Sequence, residues 1–433
     1  MRTGSSPQRE IVESRPPEQP AAGPPSSVAR PGSSAAGPGS PAVRTAPAPP
    51  RTRLESIDLL RGLVMVIMAL DHVRDYFTNV RFDPLDLAHT NGALAFTRLI
   101  THFCAPVFVF LAGTGAYLSL SRGKSRDQLA KFLLTRGVWL IVLELTVVRL
   151  GWEFNFNYSL AFVQVIWAIG WSMIVLAALV FLPSRMAGLI GVVMIVTHNL
   201  TDSVDPGRLG IFGWPWQVLH AGGFIPYAPG RLFLVAYPLI PWIGVMAAGF
   251  AFGEVFRAEA ERRRRLLYGL GGIMILLFIA LRAGNFYGDP TPWSAQPTSI
   301  LSVVSFLNCQ KYPPSMLYLL MTLGPAIALL PVLEKWKGRT AGFFLVYGRV
   351  PMFYYILHLF LFHTLAIATA ALMGFDTGFL FGNPFASPWP AAWGFGLAGV
   401  YAFWVLTVLL LYPLCRWFAL LKQRRRDAWL SYF

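Results

Sequence analysis

The chain has 433 residues, 55% hydrophobic and 13% charged, with a formal net charge of +15 and a mean hydropathy of +0.52. A composition this apolar excludes an assembly of soluble domains and places the chain among polytopic membrane proteins. The positive charge suggests a nucleic-acid binder only until its location is considered, because the clusters fall at the ends of apolar runs, where they orient a membrane protein.

Residues 1–50 are rich in Pro, Ala, Gly and Ser and contain no apolar run. They read as a disordered cytoplasmic tail, with residues 51–433 forming the membrane domain. The segment lacks a signal-peptide pattern, so the first membrane helix is expected to direct insertion.

Beyond the tail, apolar stretches of membrane-spanning length recur. They lie at Ile57–Thr78, Phe96–Leu120, Phe132–Leu150, Leu160–Leu182, Met186–Leu200, Arg231–Phe256, Leu266–Ala283, Ser315–Leu333, Phe343–Met373 and Ala391–Leu420. The expected fold is therefore an all-α helical bundle of about ten spans. Lys and Arg collect after alternate spans, at Arg122–Lys131, Arg185, Arg262–Arg265, Lys335–Arg339 and Lys422–Arg426. By the positive-inside rule both termini are cytoplasmic.

The first span carries the most informative spacing. Arg61 and His72 are separated by ten residues, which is about three helical turns, so both project from one face roughly 16 Å apart. Ionisable groups inside a span are costly and commonly functional. Asp75, three residues after His72, shares its face and is a candidate to orient the imidazole as a general base, as is Asp71. An interfacial histidine beside ordinary surface charges is the competing reading. Arg61 either pairs with Asp58 one turn earlier, anchoring the helix, or faces a cavity and binds an anionic group such as phosphate.

Further polar residues fall within or near later spans: Glu144, Arg149, Gln164 and His358. Each would line a cavity or make an interhelical hydrogen bond. The outer loops are rich in tryptophan, which suits an interfacial belt and also sugar stacking. Cys104, Cys309 and Cys415 give no disulfide framework. No zinc-ligand spacing and no phosphate-binding glycine loop occurs, so no metal is assigned and an ATP-driven pump is disfavoured.

Several segments together resemble a family. They are Ser56-Ile57-Asp58-Leu59-Leu60-Arg61-Gly62 leading to Asp71-His72, the run Phe103 to Gly113, Lys311-Tyr312-Pro313-Pro314-Ser315, and Gly348-Arg349-Val350-Pro351 leading to His358. The chain resembles the bacterial membrane proteins related to heparan-alpha-glucosaminide N-acetyltransferase. Its Arg-to-His spacing is similar to that of the wider transmembrane acyltransferases that O-acetylate surface polysaccharides. The resemblance implies a protein of the bacterial inner membrane that moves an acetyl group from cytoplasmic acetyl-CoA to a hydroxyl or amine of an extracytoplasmic sugar or glycan.

It also implies roles. Arg61 and Arg349 would hold the CoA phosphates, His72 with Asp75 and Asp71 would carry the catalysis, and Glu144, Arg149, Gln164, Lys311, Tyr312 and His358 would line the substrate cavity. Acetyl-CoA is then a co-substrate and no cofactor is permanently bound. The expected partners are acetyl-CoA, the glycan acceptor, the bilayer and, as a candidate, a second copy of the chain. The heparan enzymes carry their essential histidine in the first outer loop before a tryptophan-containing stretch, where this chain has His89-Thr90-Asn91-Gly92 and no tryptophan. His72, His89 and His102 are therefore all candidates for the base, with His72 favoured by its spacing from Arg61. A secondary transporter using Arg61, Glu144 and His358, and a non-catalytic scaffold binding a glycan or lipid, are the alternatives.

Overall fold

In the computed structural model the described residues are 54–383, 388–425 and 427–432. The expected tail, residues 1–50, lies outside them, as does Arg426 of the last basic cluster.

The chain folds into helices α1 (Glu55–Phe77), α2 (Gly92–Thr101), α3 (Cys104–Ser121), α4 (Arg126–Leu143), α5 (Arg149–Glu153), α6 (Val165–Leu179), α7 (Ser184–Thr197) and the short α8 (Gly213–Trp216). They are followed by α9 (Leu239–Phe252), α10 (Ala260–Gly284), α11 (Ser299–Leu307), α12 (Met316–Lys335), α13 (Arg339–Arg349), α14 (Pro351–Leu372) and α15 (Leu397–Arg424). Among the described residues, six helical segments are long and apolar enough to cross a membrane: Gly92–Ser121, which joins α2 to α3, and α10, α12, α14, α15 and Leu239–Arg257. This is an integral membrane protein. Helix α1 is also long, but Glu55, Asp58, Arg61, Asp71, Arg74 and Asp75 break up its apolar character.

Two expectations are corrected. First, the architecture is mainly helical but not wholly so, because a three-stranded sheet is present. Its strands are β1 (Leu160–Val163), β2 (Gly223–Ala228) and β3 (Arg231–Val235), with β3 central, parallel to β1 and antiparallel to β2. Leu160 and Arg231 begin strands and not helical spans, because runs this short and rich in β-formers suit a strand equally well.

Second, the expected span Phe343–Met373 is two helices, α13 and α14. Pro351 supplies no N–H and excludes helical geometry from the residue before it, so Val350 sits at φ −133°, ψ 49°. Pro351 then occupies the first turn of α14, where its missing donor costs nothing.

The expected span Phe132–Leu150 is helical throughout, because the helix of α4 does not stop at Leu143. It passes through a π-helical turn, Glu144–Val148, into α5. Glu144, the first residue of that turn, is buried.

Helix α1 lies at the centre, packed against α3, α12, α13, α14 and α15. Its crossing with α13 is close enough to exclude any side chain at the contact. A Cβ on Gly62 would meet the Phe344 carbonyl oxygen at 2.0 Å, and one on Gly348 would meet that of Asp58 at 1.8 Å. Glycine at both positions lets the two backbones touch. Gly348→Ala is expected to force the pair apart and lower stability by roughly 1–3 kcal/mol, measured as a drop in unfolding temperature in detergent. An unchanged unfolding temperature would mean that the crossing is not tight.

Candidate active site

The helix break at Val350 shapes one end of the site. The C-terminus of α13 leaves carbonyls without helical partners, and cations fill the role. Arg61 donates to the Gly348 oxygen at 3.4 Å and Lys422 to that of Arg349 at 3.2 Å. Arg61 also pairs with Asp58 at 3.1 Å, so the expected local anchor is present. Glu55 accepts from Lys337 at 2.9 Å and lies 3.6 Å from Arg349.

Above these charges opens a cavity of about 330 Å³ whose lining includes Arg61, Arg136, Arg349 and Lys422. Its other walls are mostly apolar, from Met65, Phe108, Leu140, Ile169 and neighbouring residues. The cations are gathered at one end because α1, α4, α13 and α15 present them there. At the far end the lining includes Tyr355 of α14.

His72 stands beyond Tyr355, with ring centroids 6.2 Å apart. Its hydrogen-bond partner is His358, Nδ1 to Nε2 at 2.8 Å. The other nitrogen of His358, Nδ1, lies 3.1 Å from the Tyr354 carbonyl oxygen. That oxygen can only accept, so His358 Nδ1 carries a hydrogen and its Nε2, in the neutral ring, is the acceptor. His72 Nδ1 must then donate, which leaves the lone pair on His72 Nε2. The pair thus fixes the tautomer a general base requires. His72 is partly buried and His358 fully so, and Trp152 packs edge-on against His72 at 4.9 Å.

The expected carboxylate support for His72 is replaced by His358. Asp75 accepts from Arg74 at 2.9 Å. Asp71 accepts two bonds from Arg98, at 2.7 and 2.8 Å, and is also 2.9 Å from Arg74 and 3.8 Å from Lys311. Guanidinium groups offer charge-assisted bonds that a neutral imidazole cannot match, so both acids turn toward arginine.

The remaining residues are distributed around this axis. Glu144 accepts the Gln164 backbone N–H at 2.6 Å through Oε1, and its Oε2 is buried without a partner. Arg149 is committed to the chain that follows it, bonding Glu153 at 2.6 Å and the Asn155 and Asn157 carbonyls, with the Tyr158 ring 4.0 Å away. None of Glu144, Arg149, Gln164, Lys311, Tyr312 and His358 lines this cavity, contrary to expectation. Lys311 and Tyr312 reach the Asp71 cluster on a loop tied down by Asp289, which accepts from Gln310 N at 2.8 Å and Ser315 Oγ at 2.6 Å.

Of the alternative bases, His102 is buried with its ring 5.4 Å from that of Tyr318. His89 is exposed in the loop between α1 and α2 and paired to Asp86 at 2.7 Å. That hydrogen bond holds the Asp86 carboxyl below its ordinary value.

Sequence reasoning did not single out Arg136, Tyr355 or the Arg74 and Arg98 pairing with Asp71. Arg136 and Arg98 sit inside apolar runs, the same signal that drew attention to Arg61. Tyr355 offered none, since aromatic residues abound in this chain.

A helical membrane protein with a cation-floored cavity that ends beside a tautomer-fixed histidine has the parts of a membrane-embedded group-transfer enzyme. Residues 53–282, more than half of the chain, match the family described as heparan-alpha-glucosaminide N-acetyltransferase, catalytic, and the chain belongs to that family. No match is found among curated proteins. Membership points to a transmembrane acetyltransferase.

Asp71→Asn would leave Arg74, Arg98 and Lys311 facing one another in a buried cluster. The expected loss is about 3–5 kcal/mol, read from thermal unfolding of the purified variant. A variant as stable as the wild type would show that the cluster does not hold the His72 end of α1 together.

Proposed function

We infer that the protein transfers an acetyl group from acetyl-CoA, bound from the cytoplasmic side, to a hydroxyl or amine of an extracytoplasmic sugar or glycan. The reading places it in the bacterial inner membrane with the Arg61 end inward, as the positive loops require. The observation that carries it is the cavity, with Arg61, Arg136, Arg349 and Lys422 at one end and Tyr355, in contact with His72, at the other.

The chemistry of the donor matches this gradient. CoA has phosphates at one end, which suit guanidinium and ammonium groups. Its pantetheine arm is slender and uncharged, and the thioester lies at its tip. Arg61 and His72 are roughly 16 Å apart along α1, so phosphates at the floor would set the thioester close to the base.

In the reaction, His72 Nε2 takes the proton of the acceptor hydroxyl or amine as its oxygen or nitrogen attacks the thioester carbonyl carbon. The carbonyl π electrons move to oxygen. When the C=O bond re-forms, the C–S bond breaks, and the departing CoA sulfur takes the proton back from the imidazolium. His358 positions the ring throughout and keeps Nε2 free to accept. Acetyl-histidine formation, with His72 as nucleophile, uses the same lone pair.

The test is transfer of label from acetyl-CoA to a panel of amino sugars, hexoses and short glycans by the purified protein. His72→Ala is expected to lose roughly 10²–10⁴-fold in rate while the protein remains folded, as a cooperative unfolding transition would show. Equal rates in wild type and variant would remove His72 from the chemistry. Arg136→Ala is expected to raise KM for acetyl-CoA and change kcat little, as loss of uniform binding does. A variant with unaltered KM would mean that Arg136 does not meet the donor.

A further inference from the structure

Among the buried polar groups that the catalysis leaves unused, one lies between the cavity and the base. Tyr355 lines the cavity and packs edge-on against His72, and its ring is also 5.4 Å from that of His358. It therefore separates the donor cavity from the base. Its hydroxyl is buried, with no acceptor for its hydrogen among the described residues. Trp152 and Glu144 are its polar neighbours. Leaving an O–H donor buried and unused is costly, and a tyrosine could avoid the cost by being phenylalanine, as Phe353, Phe360 and Phe362 of the same helix are.

We propose that Tyr355 is a further catalytic residue, whose hydroxyl donates a hydrogen bond to the thioester carbonyl oxygen and stabilises the oxyanion formed on attack. The assignment rests on the acetyl-transfer reading above. Any acyl group carried from the cation floor to His72 must pass Tyr355, so the carbonyl oxygen comes within reach of this hydroxyl when its carbon meets the acceptor. The bond is needed most when negative charge has moved onto oxygen, after the acceptor proton has gone to His72 and before the CoA sulfur leaves. A donor already desolvated and held by packing needs no reorganisation at that moment. His358, one turn further along α14, orients the base from the same helix, so α14 supplies both the oxyanion donor and the support for His72.

Tyr355→Phe removes one oxygen and keeps the ring that separates cavity from base. The expected result is a fall in kcat of about 10²–10³-fold with KM for acetyl-CoA and the unfolding temperature unchanged. A second measurement reads the bond itself. With carbonyl-labelled acetyl-CoA bound, the thioester C=O stretch is expected at lower wavenumber in the wild type and to return toward the solution value in Tyr355→Phe. Wild-type kcat in the variant, or an identical carbonyl stretch in both proteins, overturns the assignment while the acetyl-transfer reading stands. A wild-type protein that neither binds nor turns over acetyl-CoA overturns both.

Discussion

The hydrogen bond between His72 and His358 joins residues 286 positions apart, and the arrangement of the site depends on it. It can form only if α1 and α14 lie side by side, which in turn requires α13 to cross α1 where Gly62 and Gly348 meet. The break at Val350-Pro351 then redirects the chain so that α14 begins at the cavity floor and runs toward His72. One backbone discontinuity thus produces two features. It exposes the carbonyls that Arg61 and Lys422 approach, and it brings Tyr355 and His358 to the base.

Charge is segregated along this axis. At one end Arg61, Arg136, Arg349 and Lys422 face a common cavity. Near His72, Asp71 and Asp75 are held by Arg74, Arg98 and Lys311. Between them the wall is largely apolar. Segregation of this kind favours a ligand that is anionic at one end and slender beyond it, and it gives the charges near His72 a structural task, since each half-buried carboxylate there has a cationic partner.

Helix α1 was legible in the sequence almost to the residue, because the apolar stretch between Arg61 and Asp71, with Arg61 and His72 three turns apart, has few other readings. The Asp58 to Arg61 pair was legible for the same local reason. The partner of His72 was not. His358 could be recognised as a polar residue within a span, but no local pattern ties it to a helix near the other end of the chain, and a carboxylate one turn away looked the better partner until its arginines were seen. The strands at Leu160–Val163 and Arg231–Val235 escaped because short apolar runs carry no period long enough to separate strand from helix. The break at Pro351 was written in the sequence, but the apolar residues on either side masked it.

The account stands on the donor entering the cation-floored cavity. Titration calorimetry of the purified, folded protein in detergent with acetyl-CoA tests this without any knowledge of the acceptor. Saturable binding of one acetyl-CoA per chain, weakened by added salt because phosphates meet cations, is the predicted result. A folded protein that takes up no acetyl-CoA at millimolar concentration would contradict it.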